Sequence, residues 1–205
     1  MTQVLLVLHL LAGSFALIGA AVAIATEKGK SLHILAGRIY FWSMAAIFLT
    51  AIPLSIFKTN IFLLLIAMFS FYLAFSGWRL ARNRKGAAEL IDWLAIALIF
   101  LAGAGMWALA AFYFATSNSF FIVLLVFGLL ALSQGYADYT TYKNKAATGK
   151  QRIARHLSNM LGGTIAVVTA VLVVNVDVEP RWVFWVLPTA VLTPVIIWWN
   201  GKVLK

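Results

Sequence analysis

Seven apolar runs, at about residues 3 to 25, 32 to 57, 60 to 82, 89 to 116, 118 to 140, 153 to 176 and 181 to 201, take up nearly all of this 205-residue chain. Roughly 20 apolar residues in helical form cross the hydrocarbon of a bilayer. The pattern predicts an all-α polytopic membrane protein, a seven-transmembrane-helix bundle forming one domain over residues 1–205. Composition excludes the soluble alternative, because 63% hydrophobic residues and 11% charged ones cannot coat a water-facing globule of this size. Ala21, Val22 and Ala23 form an A-x-A-like site. The run before them lacks a basic leader and is too long for a signal peptide, so it counts as a helix.

The net charge of +10 would suggest nucleic acid in a soluble protein. Its distribution has a simpler cause. Of the 16 Lys and Arg, all but Lys58 and Arg181 fall on alternate connections and at the C-terminus. The positive-inside rule then predicts an outside N-terminus, a cytoplasmic C-terminus and contact between the basic end and anionic lipid, with no nucleic-acid partner. Trp78, Trp93, Trp198 and Trp199 fall near the inner interface and Trp182 and Trp185 near the outer one, as an aromatic belt requires.

Absence of cysteine excludes disulfides and thiolate-held clusters, leaving His, Met, carboxylate and backbone oxygen for any metal. HExxH pairs, a P-loop and a serine nucleophile elbow are also absent. The three histidines, His9, His33 and His156, each lie in a span or at its edge, where ionisable groups are costly and default to functional sites. His33 and His156 begin the second and sixth runs and share a leaflet. His9 is expected roughly 15 to 20 Å away in depth. Helix one reads His9-x3-Gly13 and helix two His33-x3-Gly37, each glycine one turn from its imidazole.

That arrangement has two readings. In the first, His33 and His156 are axial ligands of haem b or ligands of a divalent metal, with Gly37 making room, Arg38 and Arg155 on acidic groups, Tyr40 one turn deeper, and Asp92 or Asp138 taking the second ring N–H. His9 with Gly13, and Asn159 with Met160, are further candidates. In the second, the glycines let helices approach while the imidazoles hydrogen-bond across, and the charges anchor at the interface. Gly103 and Gly105 would likewise suit dimerisation or internal packing.

The segments HLLAGSFALIGA, HILAGRIYFWSM, HLSNMLGGTIAVVTAVLVVN and WVLPTAVLTPVIIWWN carry a resemblance over nearly the whole chain. Through HxxxG at His9 and Gly13, HxxxGRxY at His33, Gly37, Arg38 and Tyr40, and His156 with Met160, the chain resembles an uncharacterised bacterial family of multi-pass predicted membrane proteins, filed as a domain of unknown function. The resemblance implies fold, topology and a bacterial inner-membrane location, and it makes the three histidines family features. It implies no activity. Three functions follow as expectations: a redox or electron-transfer protein with a cytoplasmic-leaflet cofactor, a transporter or lipid-, quinone- or anion-binding protein, and a ligand-free accessory subunit of a larger membrane assembly.

Overall fold

The computed structural model describes residues 2–205, and within them all regular structure is helical. The helices are α1 (Thr2–Ala25), α2 (Ser31–Phe57), α3 (Ile61–Arg82), α4 (Leu90–Ala115), α5 (Phe121–Lys143), α6 (Gly149–Asn175) and α7 (Trp182–Leu204). All seven are long and apolar enough to cross a membrane. α5, α6 and α7 differ from the apolar runs by three or more residues at an end, α7 running on to Leu204. α5 continues to Lys143 because Thr140 and Thr141 return their hydroxyls to carbonyls of the preceding turn, Thr140 to Tyr136 and Thr141 to Ala137. α6 starts at Gly149, one polar turn ahead of its hydrocarbon segment, and Arg152 in that turn donates to the C-terminal carbonyls of α3 at Leu80 and Ala81.

α3 is the central element and touches α2, α4, α5 and α6, while α7 lies at the edge against α6 and the flank of α5. One core joins α3, α4 and α5 around Phe69, Leu73, Ile99, Met106, Leu124 and Phe127. A second joins α1, α2, α3 and α6 around Ala16, Ala20, Tyr40, Met44, Ala74 and Val167. The outward faces stay apolar, with Val4, Phe15, Trp42, Leu101, Phe112 and Val174 all exposed. Lipid tails suit them, so interhelical adhesion comes from close packing and polar contacts rather than from escape from water.

Small residues set the close approaches. At Gly19 a Cβ would stand 3.0 Å from the Tyr40 amide nitrogen and 3.1 Å from the Ala36 carbonyl oxygen, so α1 and α2 meet backbone to backbone there. Gly13 and Gly37 have open space where a Cβ would be, so neither is a packing seam. Gly103 faces Leu132 and Ala131, and Gly105 faces Leu65, so both glycines serve internal packing within this chain. Gly86, at φ +69° in the α3–α4 connection, presses on Ala147 and Thr148 of the α5–α6 connection and ties two basic loops together.

We predict that Gly19→Val destabilises the protein by about 1–3 kcal/mol through overpacking against backbone that cannot yield. Gly13→Ala should leave stability equal or raised, since the added methyl meets nothing and alanine favours helix. Denaturant unfolding in mild detergent compares the two.

Candidate functional site

The three histidines hold equivalent positions on their helices. In each case the residues three, seven and eleven places on are buried: Ala12, Ala16 and Ala20 after His9, Ala36, Tyr40 and Met44 after His33, and Asn159, Gly163 and Val167 after His156. Spacings of three and then four keep those residues on one stripe of a helix. The imidazole therefore sits at the end of the stripe that turns inward, and each ring reaches a neighbouring helix. His9 Nδ1 lies 2.9 Å from Thr50 Oγ1, whose own hydroxyl donates to Ala46 O at 2.7 Å, so the ring donates. His33 Nδ1–H donates to Ala23 O at 3.0 Å, across to α1. His156 Nδ1–H donates to Gly77 O at 2.8 Å, across to α3.

A carbonyl oxygen only accepts, so on His33 and His156 a proton is placed at Nδ1, and in the neutral tautomer that this bond selects Nε2 carries the lone pair. The buried polar side-chain atoms without a partner among the described residues are Tyr142 Oη, Asn159 Oδ1 and Asn200 Oδ1. Neither Nε2 is one of them. Both rings instead line one cavity of about 150 Å³ enclosed by α1, α2, α6 and α7. Tyr40, Gly37, Met160, Thr164, Lys28 and Trp199 complete its characteristic wall. The missing side chain of Gly37 opens directly on it. Exposed Ile24 and Ile153 stand at its rim, so the cavity communicates with the surface of the bundle.

Lys28 lies in the α1–α2 connection and caps α1. Its Nζ donates to the carbonyls of Ala23 at 2.9 Å, Ile24 at 2.5 Å and Thr26 at 3.1 Å, the groups a helix C-terminus leaves without partners. It also stands 5.4 Å over the Trp199 ring. Partial desolvation lowers the pKa of its ammonium from the ordinary lysine value.

Other residues that the sequence associates with the histidines lie elsewhere. Arg155 is next to His156 in the chain and about 100° around the helix from it. It turns to α5 and holds Asp138, with Nε–Oδ1 at 3.0 Å and Nη2–Oδ1 at 2.6 Å, and Gln134 Oε1 at 3.0 Å. Asp138, 1% exposed, also accepts from Tyr72 Oη at 2.7 Å, Ser76 Oγ at 2.5 Å and, at a longer 3.3 Å, Asn159 Nδ2. Asp92 forms a two-pronged pair with Arg79, both contacts at 2.8 Å, and accepts the Glu89 amide that starts α4. The Nδ1–H of His33 and of His156 thus goes to a backbone carbonyl rather than to a carboxylate, with Asp92 and Asp138 engaged in their own ion pairs. Arg38 is exposed and lies outside the cavity wall. His9 and Gly13 stay with the α1–α2 contact, apart from the cavity. Asn159 belongs to the Asp138 network, and Met160 lines the cavity while packing over Gly77.

Tyr72, Ser76 and Arg79 are missed from sequence alone, although their spacings of four and three along α3 are the signal that places them on one face. Trp199 and Lys28 carried no local signal, since only the fold brings the C-terminal helix and the first connection to one cavity. Among the described residues no group of three or more His, Asp or Glu side chains gathers as a metal-binding set. No family model, no curated protein and no solved structure matches the chain.

We predict that Asp138→Leu costs about 3–5 kcal/mol by leaving the Arg155 charge buried without its partner. The double variant Asp138→Leu, Arg155→Leu should recover most of that loss. Chemical unfolding of both variants in the same detergent measures the coupling.

Proposed function

We propose that this is a multi-pass membrane protein that binds a small, lipid-borne aromatic ligand of the quinone and hydroquinone class in the cavity between α1, α2, α6 and α7, at the basic and cytoplasmic end of the bundle. The observation that carries this reading is the convergence of His33 and His156, from helices far apart in sequence, on one apolar cavity with both Nε2 atoms unused. Few polar groups placed in an apolar wall are the usual form of a small-molecule site. The volume of about 150 Å³ matches one aromatic ring, since cavities of roughly this size hold a benzene molecule. Ile24 and Ile153 at the rim give a hydrocarbon tail an exit along apolar surface.

Haem b fits these residues less well. The two imidazoles have the right chemistry for axial ligands, but a porphyrin is several times larger than one benzene ring. The arginines expected on its acidic groups do not serve the cavity either: Arg155 is committed to Asp138, and Arg38 is outside the wall. A free anion meets Lys28 with its donors already given to three carbonyls.

The test uses Gly37→Leu, which projects a side chain into the cavity without meeting another atom at its Cβ. A decyl-substituted para-benzoquinone, added with its hydroquinone, should raise the thermal stability of the wild type, by about 2.7 kcal/mol at a hundred times its Kd. It should leave Gly37→Leu unmoved although that variant folds. A shift of equal size in Gly37→Leu would place the ligand elsewhere and overturn the reading.

A further inference from the structure

Nearly every hydrogen-bond donor on the cavity wall is already spent inside the protein. Both Nδ1–H groups go to carbonyls, and Lys28 Nζ donates to three of them. Thr164 Oγ1 donates to Met160 O at 2.9 Å, and the Tyr40 hydroxyl points at the same oxygen at 3.5 Å. Of the wall's side chains, His33 Nε2, His156 Nε2 and the indole N–H of Trp199 make no hydrogen bond among the described residues, and in the neutral rings each Nε2 is an acceptor. The wall is rich in acceptors and poor in donors.

From this imbalance we infer that the cavity selects the donor form of its ligand, a hydroquinone or another hydroxylated aromatic ring, over the quinone; the inference rests on the proposed ligand reading above. A hydroquinone brings two O–H groups, one for each imidazole, and its oxygens still accept from Trp199. A quinone brings acceptors only. It would meet the indole but cover both Nε2 lone pairs without giving them a partner, and a polar group that binding buries unpaired is where discrimination between such analogues comes from. A cationic donor is disfavoured by the Lys28 ammonium at the same wall. Preference for the reduced ring has a redox consequence. Each tenfold in affinity raises the potential of the bound two-electron couple by about 30 mV over the free couple in the membrane.

The experiment compares three ligands with one ring and one decyl tail: the para-benzoquinone, its hydroquinone kept reduced under argon, and the dimethyl ether of the hydroquinone. Binding is read as the thermal shift of the full-length protein. The hydroquinone should bind about a hundredfold more tightly than either of the others, about tenfold for each of the two hydrogen bonds lost. The variants His33→Asn and His156→Asn separate packing from recognition, because an asparagine amide donates to the carbonyl as Nδ1–H does and offers no equivalent of Nε2. Each should fold and lose about tenfold in hydroquinone affinity, with the ether unaffected.

Equal binding of all three ligands, still blocked by Gly37→Leu, would overturn the donor preference and leave the cavity reading standing. Binding of none would remove both. If Zn²⁺ or Cu⁺ displaces the hydroquinone and stabilises the protein in its place, the lone pairs serve a metal and the inference fails.

Discussion

A carboxylate sealed between α3, α5 and α6 decides how this bundle closes. Asp138 has no water to turn to, so the surrounding helices must supply donors, and Tyr72, Ser76, Arg155 and Asn159 do so from two of them. An unpaired charge in such surroundings is costly enough to exclude other rotations of these helices. With Arg155 fixed against α5 and Asn159 against α3 and α5, His156 is held with its Nδ1–H on Gly77 of α3 and the ring at the wall of the cavity shared with α1, α2 and α7. The ion pair therefore sets the cavity from behind. Arg79 with Asp92 repeats the device between α3 and α4.

Helix number and rough extent were legible because the hydrocarbon thickness sets a length that the sequence obeys. That His33 and His156 share one end of the bundle was legible too, since alternate helices begin at the same end; that both line one cavity came from the fold. Helix rotation was not legible. A membrane helix has apolar neighbours on both its lipid and its protein sides, so the contrast that reveals the buried face of a soluble helix is weak here. Arg155 and His156 are adjacent in sequence and look like one site, yet one residue of helix separates their functions. Gly13 and Gly37 look like packing glycines, whereas Gly19, with no histidine beside it, is the one that α2 presses against.

The shared position of the three imidazoles explains why packing and ligand readings are hard to separate from sequence. All three rings use Nδ1 to fasten a helix to its neighbour, which is a structural role. Two of them turn the rest of the ring into a common cavity, where the same carbonyl bond that fastens the helix also fixes the tautomer. His9 performs only the first task in this fold. The two roles are thus consecutive uses of one side chain, and the third helix-borne histidine serves as an internal comparison for the other two.

The most direct test of this account is the absorption spectrum of the protein purified from its own membrane in mild detergent, together with that of its organic extract. We predict a near-stoichiometric aromatic lipid whose ultraviolet band changes on chemical oxidation, and no Soret band on the protein. A Soret band, or an extract without such a lipid, would contradict the account.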